Sequence, residues 1–276
     1  MEVALGFDAI LLHEQVLEDL QPNLALKKLE IVSYMGKKLP SWMACKQGYL
    51  KDLTEIKLVN LRKCERLPPL GQLPELEIVE ISGMDSISAV DDAFYGDCDG
   101  DTFPRLKTLI FSEMPMLERW LKAKGEGDVF PRLETLILIQ CPKFKELDVR
   151  PSSRREFLRL ELWLNNDKLL SSEFVGWQNL VHVSELEITG CQELRCLPQG
   201  IKHLKHLYRL EIIRCNNLIS LPDWLAELTI FYPSKEHRVP INLVVRDCIM
   251  LSFIPERLKQ SPYIDMTIEG CPKLGV

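Results

Sequence analysis

The chain repeats one spacing of apolar residues along its length. "VSELEITGCQELRCLP" (183–198) and "LYRLEIIRCNNLISLP" (207–222) superpose at an offset of 24, matching Leu186 with Leu210, Ile188 with Ile212, Cys191 with Cys215 and Pro198 with Pro222. The kernel is a pair of apolar residues two apart. It occurs at Leu29/Ile31, Ile56/Leu58, Val79/Ile81, Leu109/Phe111, Leu136/Leu138, Leu160/Leu162, Leu186/Ile188, Leu210/Ile212, Leu243/Val245 and Met266/Ile268. A period of two puts both side chains on one side of a short strand. Apolar positions three apart follow each pair, and these cannot continue a strand; they turn the chain back over the core. One such unit cannot bury its own apolar side, so neighbouring units must stack into a parallel sheet with a shared core.

The residue three beyond each pair marks the turn: Tyr34, Leu61, Met84, Met114, Cys141, Asn165, Cys191, Cys215, Cys248 and Cys271. Asn or Cys there is small and can satisfy buried backbone groups that would otherwise go unpaired. "LP" recurs at 39, 67, 197 and 221, where proline ends strand pairing, and "FPRL" opens two units at Phe103 and Phe130. The pattern predicts an α/β fold, a leucine-rich repeat solenoid (horseshoe). One curved parallel sheet forms its concave face, with irregular loops and short helices on the convex face. Residues 26–276 hold about ten repeats. Residues 1–25 form a helical lead-in whose Leu12, Val16, Leu17 and Leu20 share one face and cover the first repeat. Trp42 and Trp224, in "LPSWM" and "LPDWL", belong to the convex-side core. Insertions at 91–102, 121–129 and 229–240 are expected to be mobile loops.

Composition narrows the function. A net charge of −6 argues against general nucleic-acid binding. No run approaches the ~20 apolar residues of a membrane span. Glu2 and Asp8 interrupt the N-terminus where a signal peptide would be basic, then apolar, and the chain carries no N-x-[ST] sequon; an intracellular location is expected. Nine cysteines, an odd number without a CxxC, recur in step with the apolar register, which favours reduced structural thiols over disulfides or zinc ligands. "GDCDGD" offers Asp97, Asp99 and Asp101 as a calcium-loop start, yet the twelfth position is Thr108 instead of Glu, in a predicted strand. "MGKK" lacks the upstream glycine of a P-loop, and His13, His182, His203, His206 and His237 form no HExxH. No catalytic, cofactor or metal set can be nominated, so an enzyme is not expected.

The positions between the paired residues face outward from the sheet: Glu30, Lys57, Glu80, Ile110, Ile137, Glu161, Glu187, Glu211, Val244 and Thr267. Ile110 and Ile137 should lie on adjacent strands, with Ile139 and Trp163 in the next column, forming an apolar contact patch for a protein partner. Beside them Glu161, Glu187 and Glu211 form a carboxylate ladder on strands ~5 Å apart. Either a basic partner relieves the repulsion between these charges, or Arg159 and Arg209 neutralise them from within the sheet.

Several longer stretches carry a resemblance: "HEQVLEDLQPNLALKKLEIVSYMGKKLPSWM", "LPPLGQLPELE" followed by "ISGMDSISAV" and "FYG", "FPRLKTLIFSEMPMLERW", and "LEITGCQELRCLPQGI". In this order, from about 13 to 274, the chain resembles the C-terminal leucine-rich region of plant intracellular nucleotide-binding immune receptors of the coiled-coil class. The resemblance implies a non-enzymatic region that recognises pathogen proteins or guarded host targets and restrains the receptor's nucleotide switch. No coiled-coil domain or P-loop is written in these residues, so nucleotide binding is not carried over, and the chain reads as a separated or truncated piece. The alternative is a general repeat adaptor, such as the substrate-selecting module of a ubiquitin ligase.

Overall fold

The computed structural model describes residues 3–43, 49–96, 100–125, 127–149, 158–228, 230–231 and 238–274. They fall into two compact units, Met1–Leu133 with Asp148–Arg154 and Glu134–Leu147 with Arg155–Val276. Each is a parallel-sheet solenoid, and each strand of five or more residues contains one of the apolar pairs, whereas the two-residue strands such as Ala89–Val90 and Arg119–Trp120 do not. The first unit stacks β1 (Lys28–Val32), β2 (Glu55–Val59), β3 (Ile78–Ser82) and β4 (Thr108–Ser112). The second stacks β5 (Thr135–Ile139), β6 (Leu158–Trp163), β7 (Val183–Thr189), β8 (Arg209–Ile213), β9 (Ile241–Arg246) and β10 (Ile264–Glu269). Pair faces pair in the register: Leu186 lies beside Leu160 and Leu210, and Ile188 beside Leu162 and Ile212. These residues are buried. Removing such a side chain from water contributes roughly 1.5–3 kcal/mol, which is why the spacing is kept while connection lengths vary.

Each strand ends in the same backbone corner. The residue two beyond the pair has a positive φ between 51° and 69° in every coil: Ser33, Asn60, Gly83 and Glu113 in the first unit, then Gln140, Leu164, Gly190, Arg214, Asp247 and Gly270. Only three are glycine, although the left-handed region costs other residues about 1–2 kcal/mol. A hydrogen bond offsets that cost. The corner amide of Ser33 donates to Val59 O (2.8 Å), Leu164 to Thr189 O (2.7 Å) and Arg214 to Arg246 O (2.9 Å), each extending the ladder to the next strand.

The turn residues behave as their size and donors require. Cys191 Sγ donates to Leu162 O and Leu164 O, both at 3.7 Å; Cys215 Sγ donates to Ile188 O at 3.7 Å and Cys248 Sγ to Arg246 O at 3.4 Å. Burial pushes the thiols of Cys191 and Cys248 up to about 12 and that of Cys215 to about 11, so all three stay protonated donors at neutral pH. The sixth coil departs from the expected spacing. Asn165 is exposed, and Asn166, fully buried, is the turn residue. Asn166 Nδ2 donates to Leu138 O (2.9 Å) and Trp163 O (3.0 Å), while Oδ1 accepts from the Cys141 amide (3.3 Å). One inserted residue shifts the turn, and a longer amide side chain fills the gap.

Two further expectations are corrected. Over its described side chains, the helix α1 (Val3–Asp19) docks through Glu14 and Glu18 and not through the predicted apolar face. Glu14 Oε1 accepts from the amides of Lys37 (2.8 Å) and Lys38 (3.1 Å), Glu18 Oε2 accepts from Ser41 N (2.8 Å), and Trp42 Nε1 donates to Leu17 O (3.0 Å). Leu12, Val16 and Leu20 face solvent. The first convex turn presents unpaired backbone N–H groups, and carboxylates satisfy them where methyl groups cannot.

The stretch at 91–102 is in part structured. Asp91 caps a helical turn over Asp92–Tyr95, its carboxylate accepting from Ala93 N at 3.0 Å. Phe94 and Tyr95 are buried in an aromatic cluster with Phe103, Phe111, Trp120 and Phe130. The 121–129 stretch is pinned to it by the Leu121 amide on Val90 O (2.8 Å) and the Lys124–Asp92 ion pair (2.6 Å). Of 229–240, Ile230–Phe231 pairs antiparallel with Arg238–Val239. Asp97 and Asp99 of the calcium-like stretch, and His237, lie outside the described residues. Thr108 does lie in a strand, and Asp101 accepts from Asp128 N at 3.0 Å. Trp42 and Trp224 are both buried, as their repeat positions predict.

Candidate functional site

The outward residues of the second unit form three rows across its strands. The first runs Thr135, Arg159, Glu185, Arg209, Asn242; the second Ile137, Glu161, Glu187, Glu211, Val244; the third Ile139, Trp163, Thr189, Ile213, Arg246. Six of the seven residues singled out from the sequence thus lie in one array. Ile110 belongs to the first unit, half-buried on β4 beside Glu80, which pairs with Lys57 at 3.2 Å.

The ladder of carboxylates is real, and arginine answers it. Arg159 is the hub: Nη2 lies 2.7 Å from Glu187 Oε2, Nη1 3.4 Å from Glu185 Oε2, and Nε 2.6 Å from Glu161 Oε1, the last an ion contact without hydrogen-bond alignment. Arg209 Nε donates a hydrogen bond to Glu211 Oε1, and the Tyr208 hydroxyl donates to Glu185. Of the two readings of the ladder, internal neutralisation is therefore present, though incomplete. Among the described residues, Glu161, Glu185, Glu187 and Glu211 face Arg159 and Arg209 in this cluster. Glu161 and Glu211 are buried, and burial holds the Glu161 carboxyl above its ordinary range against the pull of Arg159.

Trp163 stands at the junction of the apolar and acidic halves. Its indole Nε1 donates to Glu187 Oε1 at 3.1 Å, and Thr189 Oγ1 donates to the same oxygen at 3.0 Å. Ile139 lies beside it on β5, and Ile137 beside Glu161; both isoleucines and the indole are half-buried. An aromatic side chain held at its polar end presents a fixed contact surface. Sequence reasoning passed over Glu185 and Tyr208. The alternation Arg159, Glu185, Arg209 at the residue before each pair was the signal that could have found them. Among the described residues no group of His, Cys, Asp and Glu could hold a metal ion, and no helix is long and apolar enough to cross a membrane.

Part of the sequence is similar to plant disease resistance proteins. Residues 8–84 match the family described as R13L1/DRL21 LRRs. The chain is 36% identical over 113 residues to "Putative disease resistance protein RGA1" of Solanum bulbocastanum, covering 41% of this chain and 11% of the relative. It is 33% identical over 116 residues to "Putative disease resistance RPP13-like protein 1" of Arabidopsis thaliana, covering 40% and 11%. It is 33% identical over 199 residues to "Disease resistance protein RGA2" of Solanum bulbocastanum, covering 68% and 19%. The match thus spans a fifth or less of the length of these relatives. Its stacked coils and its sequence make the chain a leucine-rich repeat region of the kind carried by plant disease resistance proteins.

Proposed function

We propose that this repeat region is a non-catalytic recognition surface of an intracellular immune receptor, binding a pathogen protein or a host protein that the pathogen alters. Ile137, Ile139 and Trp163 anchor the partner. Glu161, Glu187 and Glu211 select one with basic residues. In a longer receptor the same region would restrain the nucleotide switch.

The observation that supports this most is the Trp163–Glu187 hydrogen bond beside a cluster in which, among the described residues, carboxylates outnumber guanidinium groups. An aromatic anchor already fixed in the free protein loses little entropy on binding, and such residues carry most of an interface's energy. The residual negative charge would attract a basic partner and make association depend on salt.

A display library of secreted proteins from plant pathogens supplies the test. Binders to the parent chain are measured again on the double variant Trp163→Ala, Ile137→Asp. Loss of an anchor of ~2 kcal/mol lowers affinity about thirtyfold. Unchanged affinity in a variant that melts like the parent would refute the assignment of this surface.

A further inference from the structure

The third row of the sheet face crosses β5 to β8 through Ile139, Trp163, Thr189 and Ile213. All four are half-buried. With strands ~4.8 Å apart, the row is about 14 Å long. Polar groups bound it on both sides. One row inward lie Glu161, Glu187 and Glu211 with their arginines. On the rim stand the corner residues Gln140, Arg214 and Asp247, the last two meeting at 3.8 Å. Leu164 is the apolar exception there: it is 41% exposed and lies against Gly190, where an added Cβ would come 2.8 Å from its Cδ2. It broadens the row beside Trp163. The result is a narrow apolar stripe running across the strands.

Its place in the sheet restricts what can cover it. Strands β6, β7 and β8 are each paired on both sides, so their backbone N–H and C=O groups are taken up by the ladder. A segment that buries itself here gains no main-chain bond from the sheet and must satisfy its own backbone. An extended segment cannot do so. An α-helix does, through its internal bonds.

The spacing agrees. A helix rises about 5.4 Å per turn, close to the ~4.8 Å between strands, so each turn sets a side chain over one strand. Same-side residues of an extended segment fall ~6.7 Å apart and lose step within two strands.

We infer that the stripe seats an amphipathic α-helix of a partner protein, laid across β5 to β8. Apolar residues at i, i+3 and i+10 of that helix share one face and meet Ile139, Trp163 and Ile213. The neighbouring rows give the helix one basic flank. Among the described residues, four carboxylates there (Glu161, Glu185, Glu187 and Glu211) meet two guanidinium groups, and Glu185 and Glu187 are only half-buried. The inference rests on the reading of this face as a recognition surface, and it adds Leu164 and Ile213, which that reading does not use.

Two display libraries of equal diversity, sorted against the intact chain, test it. One randomises the outer face of a helix in a small helical scaffold, the other an extended loop. Binders are then measured on Trp163→Ala, which reads the surface, and on Ile213→Asp, which reads the far end of the stripe. We expect helical binders that lose about tenfold or more on either variant. They should lose binding again when proline is placed in the middle of the randomised helix. Their selected sequences should carry the apolar spacing above, with Lys or Arg along one flank. Ile213→Ala repeats the second measurement should the aspartate variant misfold.

Trp163-dependent binders that come only from the extended library, or that ignore the Ile213 variants, overturn the helix and leave the surface in place. Trp163-dependent helices with acidic flanks overturn it as well. If neither library yields a binder sensitive to Trp163→Ala, the surface itself falls, and the helix with it.

Discussion

Arg159 and Glu187 sit on neighbouring strands, β6 and β7, with Nη2 and Oε2 2.7 Å apart, and the same carboxylate fixes the indole of Trp163 through its other oxygen. The ion network and the apolar anchor are thus one mechanical unit. Arg159→Leu leaves buried Glu161 facing Glu185 and Glu187 without its guanidinium. Because Arg159 is itself partly solvated, the expected loss is about 1–2 kcal/mol in urea unfolding, below that of a fully buried pair. Adding Glu161→Gln should recover part of it. A double variant weaker than the single one would place the stress elsewhere.

Glu161 gives the network a pH signature. Its folded-state pKa lies above the ordinary 4.5 because burial outweighs Arg159. A raised value means that the folded chain holds the proton more tightly than the unfolded one. The group's contribution to stability is then complete below the unfolded value and is lost as pH rises through the folded value. Relative to the parent, Glu161→Gln should gain stability as pH climbs from 4.5 through that window, then level off. Urea midpoints across a pH series measure the difference; a relative loss with rising pH would reverse the sign.

Asn165 and Asn166 are neighbours with opposite duties. Asn166→Ala removes three hydrogen bonds made by a fully buried side chain, for a cost of roughly 2–4 kcal/mol. Asn165→Ala, at an exposed site, should stay within about 0.5 kcal/mol of the parent. Equal effects in thermal unfolding would return the turn to residue 165.

The carboxylates of Glu14 and Glu18 hold α1 against the first convex turn. In the double variant Glu14→Ala, Glu18→Ala the helix should detach while the coils remain folded. Trp42, whose N–H donates to Leu17 O, reports the event: its emission should move to the red and protease should cut near 20–27. Unaltered emission and cleavage would show that other contacts seat the helix.

The apolar pairs were readable because burial tolerates no departure from a period of two, so Leu186 and Ile188 announce their strand without help. Asn166 was not readable: its coil carries one extra residue, and counting from Leu162 lands on Asn165. The corner conformation left no mark in the sequence either, since Ser33, Leu164 and Arg214 adopt it as readily as Gly83 once the ladder bond is made. The orientation of α1 misled because a stripe of leucines is ordinarily a buried one, while its docking partners are backbone amides, which no side-chain pattern records. For the candidate surface, the outward residues followed from the pair spacing. Their ion pairing depended on rotamers of Arg159 and Arg209 that only packing decides.

The ten strand-end corners demand a shape of main chain and very little of the residue that adopts it. Serine, asparagine, glutamate, leucine and arginine all occupy that bend. A lineage could therefore rewrite the chemistry along the whole rim, charge by charge, while each fold of the chain continues to grip the next.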